Sequence, residues 1–248
     1  MLNLDTYFSL TVVAAFLVGL SKGGLPSISM LAVPLLSLVM SPVKAAALLL
    51  PIFVISDWIG VYLYRRDFSE ANLRLLIPAG IVGVLAGWLT ASIVSDRVVT
   101  FLIGTMGVAF CVNVWVWKKV DSAPQPAHSA KGWFWGTLTG FTSFISHSGG
   151  PPFQIFMLPQ KLAKAEFAGT ATIVFAVINA AKIIPYQNLR PYSNETLLDA
   201  MVLIPFALIG TVTGTYITQK VSSIWFYRIV QISMFLVSIK LLADAAHS

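Results

Sequence analysis

Six stretches of this chain, 44–64, 73–94, 98–117, 165–186, 196–218 and 225–243, are apolar over about the length a helix needs to cross a bilayer. That spacing leaves little choice of fold. The 248 residues are 57% hydrophobic and 10% charged, against about 25% charged in a soluble domain. So much apolar surface has to face lipid and other helices. The expected class is an all-α polytopic membrane protein, multi-pass in the cytoplasmic (inner) membrane. The net charge of +6 lies in single residues and pairs between apolar runs. That pattern fits orientation against the cytoplasmic side, not a nucleic-acid surface. Cys111 is the only cysteine, so an intrachain disulfide is excluded. No basic residue precedes Lys22, so no signal peptide is expected, and the N-terminus reads as lying outside.

Two further apolar regions do not fit single spans. Residues 7–20 and 25–40 are each short. As one helix, 7–40 would run ~50 Å, too long for a ~30 Å hydrocarbon core. The interruption is Ser21-Lys22-Gly23-Gly24-Leu25-Pro26. Residues 132–146 and 151–160 repeat the anomaly around Ser146-His147-Ser148-Gly149-Gly150-Pro151-Pro152. Each region reads as a broken or re-entrant helix pair. Paired breaks in corresponding positions are a sequence pointer to a transporter's substrate site.

The two halves are related. Residues 76–95 align without gaps to 203–222, matching Leu76, Ile77, Pro78, Gly83, Gly87, Val94 and Ser95 with Leu203, Ile204, Pro205, Gly210, Gly214, Val221 and Ser222. Gly83/Gly87 and Gly210/Gly214 are small-residue pairs that let helices pack closely. The Gly-Gly pairs align at nearly the same offset. The expected organisation is a first repeat over 1–117, a cytoplasmic linker over 118–131 and a second repeat over 132–248. Each repeat would hold one broken pair and three full spans, and an odd number of crossings inverts the second repeat. Arg65, Arg66, Arg74, Lys118, Lys119 and Lys131 would lie inside with Lys161, Lys164 and Lys220. The Asp96-Arg97 turn, Lys182, Arg190 and Lys240 would lie near the outside. His128 reads as a solvated linker residue.

Glycines followed by proline end one helix and start another, and the new N-terminus offers unpaired N–H groups to an anion. Gly23, Gly24, Gly149 and Gly150 would let a ligand reach the backbone. Lys22, an ionisable residue in an apolar segment, reads as functional. His147 holds the corresponding place in the second break and can donate a hydrogen bond or carry a proton. Ser21, Ser146 and Ser148 could donate hydroxyls to the anion or bond their own backbone. Gln154 could be a neutral donor. Asp57, within a span, could exchange a proton, neutralise Lys22 or serve packing. Asn179 and Lys182 lie in the equivalent helix of the second half as coupling or gating residues, although Lys182 could simply snorkel to the interface.

Gly19-Leu20-Ser21-Lys22-Gly23-Gly24, the segment Gly140 through Leu158, and Gly169-Thr170 before an apolar helix resemble the sulfite exporter TauE/SafE family over nearly the whole chain. The resemblance implies a transporter of sulfite, sulfoacetate or related organosulfonates, usually outward. Together with the paired breaks it suggests a secondary exporter working by alternating access. A passive anion channel and an uptake permease are the alternatives. An enzyme is not expected: adjacent Ser and His do not form a triad, and no orienting carboxylate is near. No metal or other cofactor is expected, because the three histidines are scattered and the cysteine is single. A nucleotide-binding loop is also missing. The expected partners are a small anion and lipid, with a homo-oligomer left open.

Overall fold

The computed structural model describes residues 4–26, 28–36, 38–40, 42–117, 123–189 and 193–247. Among these there are ten α-helices and no strand. They are α1 (Leu4–Lys22), α2 (Ala32–Leu36), α3 (Pro42–Leu63), α4 (Glu70–Thr90), α5 (Asp96–Val112), α6 (Ser129–Ser146), α7 (Gly150–Met157), α8 (Lys164–Leu189), α9 (Asn194–Lys220) and α10 (Ser223–His247). Single-turn 3₁₀ segments run over Ile28–Leu31 and Leu158–Gln160, and a π turn, Asn113–Trp117, extends α5. Five helices are long and apolar enough to cross a membrane, namely α4, α5 with its π turn, α8, α9 and α10. The sixth expected span, 44–64, is helical within α3, which runs for 22 residues; its stretch Ala47–Leu63 is apolar. Residues 118–122, which include Lys118 and Lys119, and Arg190 lie outside the described residues. The linker ends earlier than expected, since α6 begins at Ser129 with His128 as its N-cap.

Both short-segment regions are broken helices. α1 stops at Lys22 because Gly23-Gly24 turns the chain, with Gly24 at φ +114°. α6 stops at Ser146 because His147 adopts a left-handed φ of 53°. The N–H groups of His147 and Ser148 both return to Thr142 O, which satisfies one carbonyl that the helix end would orphan. The short pieces that follow differ. After the first break the chain makes a 3₁₀ turn and the five-residue α2, which contains Pro34. After the second it makes the eight-residue α7 with prolines in its first turn.

Two glycine seams set the packing. α1 lies against α9 so closely that a Cβ on Gly19 would stand 1.9 Å from Ala207 O, and one on Gly210 would stand 2.3 Å from Phe16 O. α6 lies against α4 in the same manner: a Cβ on Gly140 would stand 2.0 Å from Gly80 O, and one on Gly83 would stand 2.0 Å from Thr137 O. In each seam the contacts advance in the same order along both helices, so the partners run parallel. Helices can approach to this distance only where side chains are absent, as small-residue membrane seams require. α3 and α8 cross between the two seams, and α5 pairs with α10. Apolar cores fill the space on either side. One, with Ala15, Leu49 and Ala207, joins α1, α3 and α9; another, with Phe153, Phe167 and Phe226, joins α7, α8 and α10.

The ends of the bundle can be read from contacts. Ser69 N–H donates to Thr170 Oγ1, Gln125 N–H to Pro159 O, and Lys164 Nζ to Gln219 O and Val221 O. The 65–74 segment, the described part of the linker, Lys161, Lys164 and Lys220 therefore share one end. At the opposite end Arg97 Nε donates to Ala245 O. α1 and α9 run toward the first end, whereas α4 and α6 run away from it.

Candidate functional site

The ends of α1 and α6 meet over α3 and α8, and a cavity lies between them. It encloses about 440 Å³ of empty space, its mouth included. Lys22 comes from the last turn of α1, Phe53 from α3, Ser143 and His147 from α6, and Thr172, Phe175, Asn179 and Lys182 from α8. The α8 contributors recur at 172, 175, 179 and 182, and Tyr186 continues the spacing: one face of a helix. Thr172 and Lys182 stand roughly 12 and 27 Å along α8, which is roughly 39 Å long, so the cavity lies in its middle.

Two lysines are buried here. Lys22 is 4% exposed and its Nζ lies 2.7 Å from Asp57 Oδ1, with Asp57 3% exposed. The second carboxylate oxygen, Oδ2, accepts from Asn179 Nδ2 at 2.7 Å. The ammonium also lies 4.9 Å from the Phe53 ring centroid and 6.0 Å from that of Phe175, so two aromatic faces offset part of its lost hydration. A pair at this depth is costly to desolvate, and it stands because both charges are paired and the carboxylate is further hydrogen-bonded.

Lys182 is different. It is 1% exposed, and its Nζ meets neutral acceptors: Ser143 O at 3.3 Å, Ser143 Oγ at 3.2 Å and His147 Nδ1 at 3.5 Å. Among the described residues no carboxylate is within ion-pair distance of it. The interfacial, snorkelling alternative for Lys182 is therefore corrected: the side chain points into the bundle, where the crossing of α8 over α6 covers it. The His147 ring is fixed on both sides. Tyr186 donates its hydroxyl to Phe144 O at 2.9 Å, so at the 3.0 Å contact with His147 Nε2 the tyrosine oxygen must accept. That places the ring proton on Nε2 and leaves Nδ1 as a lone pair toward Lys182. Phe53 stacks on the imidazole at 6.0 Å between centroids.

The other expected site residues divide. Ser21 and Gly150 line the cavity with Lys22, His147, Asn179 and Lys182. Asp57 stands directly behind Lys22. Gly23, Gly24, Ser146, Ser148, Gly149 and Gln154 are not on its wall. Ser21, Ser146 and Ser148 donate their hydroxyls to Val18 O, Thr142 O and Ser146 O, the backbone-bonding alternative. Gly23 is needed for packing, since a Cβ there would stand 2.4 Å from Thr215 N. Its carbonyl accepts from Tyr64 Oη at 2.7 Å and Thr218 Oγ1 at 2.9 Å. Gly24 is needed for its positive φ. A Cβ on Gly149 would meet Thr139 O at 2.8 Å. Gln154 is fully buried beyond the cavity.

Of the helices that follow the two breaks, α7 begins at the cavity with Gly150 on its wall, and α2 is not on it. The elements whose ends meet at the cavity are the C-termini of α1 and α6, which carry partial negative charge. Lys22, in the last turn of α1, complements that end. α7 does begin at the cavity, but Pro151 and Pro152 lack N–H groups and Phe153 N–H is taken by Gly149 O. Full positive charge at this site comes from side chains, beside the partial positive end of α7 at Gly150.

The family model described as Sulfite exporter TauE/SafE matches residues 11–241, nearly the whole chain. The chain belongs to the TauE/SafE family. Neither the curated proteins nor the solved structures compared with it give a significant match. Membership joins the five apolar helices in making this an integral, multi-pass membrane protein of anion-exporter type. Within this TauE/SafE chain, Phe53, Ser143, Thr172, Phe175 and Tyr186 are site residues that sequence reasoning passed over. A signal for three of them was present: Phe53, Asp57 and Tyr64 recur 122 residues later as Phe175, Asn179 and Tyr186.

Proposed function

We propose that this TauE/SafE protein is a secondary exporter of a small sulfur-containing oxyanion across the cytoplasmic membrane. The anion is held in the cavity between the tips of α1 and α6. The observation that carries this reading is Lys182: an ammonium buried in the bundle and facing neutral acceptors. A cation kept at such depth is costly unless an anion completes it. Its three contacts are long, 3.2 to 3.5 Å, so an oxyanion can displace one of them at little loss. Lys22 and the Nε2-protonated His147 line the same space, and Phe53 gives it an apolar floor.

An inverted repeat is the frame in which such a site would work, and several contacts support it. The α1–α9 seam and the α6–α4 seam match contact for contact, with Gly19 answering Gly140, Ala207 answering Gly80 and Gly210 answering Gly83. Tyr64 donates to Gly23 O as Tyr186 donates to Phe144 O. Asp57 and Asn179 bond each other across the pseudo-axis. Helices paired in this way run in opposite directions. The seams put α1 and α6 in register 121 residues apart, so the two Gly-Gly pairs do not superpose. Lys22 corresponds to Ser143, and the lysine of the second half comes from α8 instead. Rocking of α1–α9 against α4–α6 would then open the cavity to each side in turn.

The test is efflux of sulfite and alkanesulfonates from proteoliposomes. Native protein is expected to give saturable efflux, and Lys182→Met to abolish saturation while the protein still elutes as a folded species. Undiminished saturable flux in Lys182→Met would refute the site. Fast, non-saturating flux would assign a channel instead.

A further inference from the structure

Resting on the transport reading, we infer that the Asp57–Asn179 pair sets the valence of the transported anion, and that the cavity selects a singly charged oxyanion over a doubly charged one. Among the described residues, few charges face the cavity. Lys22 contributes one positive charge, and Asp57, 2.7 Å away, cancels it. His147 is held neutral by its partners: Nε2–H donates to Tyr186, and Nδ1 is turned toward the Lys182 ammonium, which leaves no place for a second ring proton. Lys182 makes contacts to three acceptors, which matches the three N–H groups of an ammonium. With Lys182 as the ammonium, the site carries one net positive charge.

A monoanion such as a hydrogensulfite or an alkanesulfonate neutralises that charge. A dianion leaves one negative charge uncompensated in a buried space, where unpaired charge is severely penalised. Sulfite itself would pass as its singly protonated form. Sulfoacetate, with a carboxylate and a sulfonate, is disfavoured by the same count.

The position of the selector is what makes it testable. Asp57 and Asn179 are nearly isosteric, occupy matching places on α3 and α8, and bond each other at 2.7 Å. Exchanging acid for amide at these two places changes the charge of the site with little change of volume. Asn179→Asp brings it to zero, the native chain stands at plus one, and Asp57→Asn brings it to plus two.

The experiment is sulfite efflux from proteoliposomes, with methanesulfonate and sulfate as competitors. Near neutral pH the first is always a monoanion and the second always a dianion. In the native protein methanesulfonate should compete about tenfold or more better than sulfate, because one unit of charge at such depth is worth at least a factor of ten. Asp57→Asn should shift that ratio toward sulfate by about tenfold or more. Asn179→Asp should weaken both competitors. The double variant Lys22→Gln/Asp57→Asn restores a net charge of plus one and should recover the native preference, which also covers a single variant that fails to fold. Sulfite efflux with equal competition by the two anions in the native protein overturns the valence assignment alone. So does a native ratio in Asp57→Asn, or loss of the preference in the double variant. Absence of saturable flux for sulfite and both competitors overturns the transport reading on which it rests.

Discussion

Gly19→Ala should damage the α1–α9 seam more than any other glycine-to-alanine substitution within it. The new methyl would lie 1.9 Å from Ala207 O, where an ordinary contact begins near 3.4 Å. The obstruction is backbone on both sides, so no rotamer relieves it. α1 and α9 must part by about 1.5 Å. A gap of even 0.5–1 Å forfeits about a quarter to a half of each dispersion contact across a seam. Overpacking of this kind costs about 1–3 kcal/mol. Against it stands the helix propensity of alanine, which favours the variant by up to about 1 kcal/mol. A net loss of about 1–2 kcal/mol is expected. Gly80→Ala is the matched control. Its methyl meets Ile178 Cδ1 at 3.1 Å, the far end of a flexible side chain, so the propensity gain should roughly cancel the contact. Reversible unfolding in mixed micelles, followed by tryptophan fluorescence, reads both. If Gly19→Ala unfolds within about 0.5 kcal/mol of native, or no lower than Gly80→Ala, the seam is not rigid and the packing argument fails.

Two other outcomes follow from buried polar groups. Lys22→Met and Asp57→Ala should each destabilise by about 3–5 kcal/mol, because each leaves an unpaired buried charge, while the double variant should cost clearly less than their sum; additivity in the same unfolding assay would show that the pair is not coupled. Asn72 and Gln160 exchange amide hydrogen bonds at 2.9 and 3.1 Å and tie α4 to the turn before α8. Asn72→Leu should cost about 1–3 kcal/mol, with Gln160→Leu adding little to it, and a large further loss on the second substitution would contradict the reciprocal pairing.

Much of the fold was legible because membrane helices are written as apolar length. The spans, the two breaks and the grouping of Arg65, Arg74, Lys161, Lys164 and Lys220 at one end all emerge from that logic. Lys22 and Asp57 stand out for a related reason: charge within an apolar run needs a partner, and each is the other's. What could not be read was register. The Gly-Gly pairs align along the sequence, yet the seams place Gly19 opposite Ala207 and Gly140 opposite Gly80, and helix contacts obey the seam. Lys182 stays ambiguous in the sequence because a lysine in the later part of a span can reach either the interface or the interior, and only the crossing of α8 with α6 decides. Tyr186 and Phe175 look like ordinary packing residues until Asn179 and Lys182 show which face of α8 is wet. The serines of the breaks had two uses open, and the local carbonyls of α1 and α6 took them.

The parallel seam between α1 and α9 also has a consequence in time. Gly19 and Ala207 are adjacent in space but about three quarters of the chain apart in synthesis. At a ribosomal rate of about 5–20 residues per second, roughly 10–40 s separate the appearance of the two helices. Throughout that interval α1 has left the ribosome with its glycine face bare and with Lys22 in hand. Asp57 follows within seconds, so the charge can be neutralised early, by α3. The groove itself must wait for the ninth helix. Biogenesis of this chain therefore needs α1 to be sheltered, by the insertion machinery or by lipid, until the last quarter of the protein arrives to close over it.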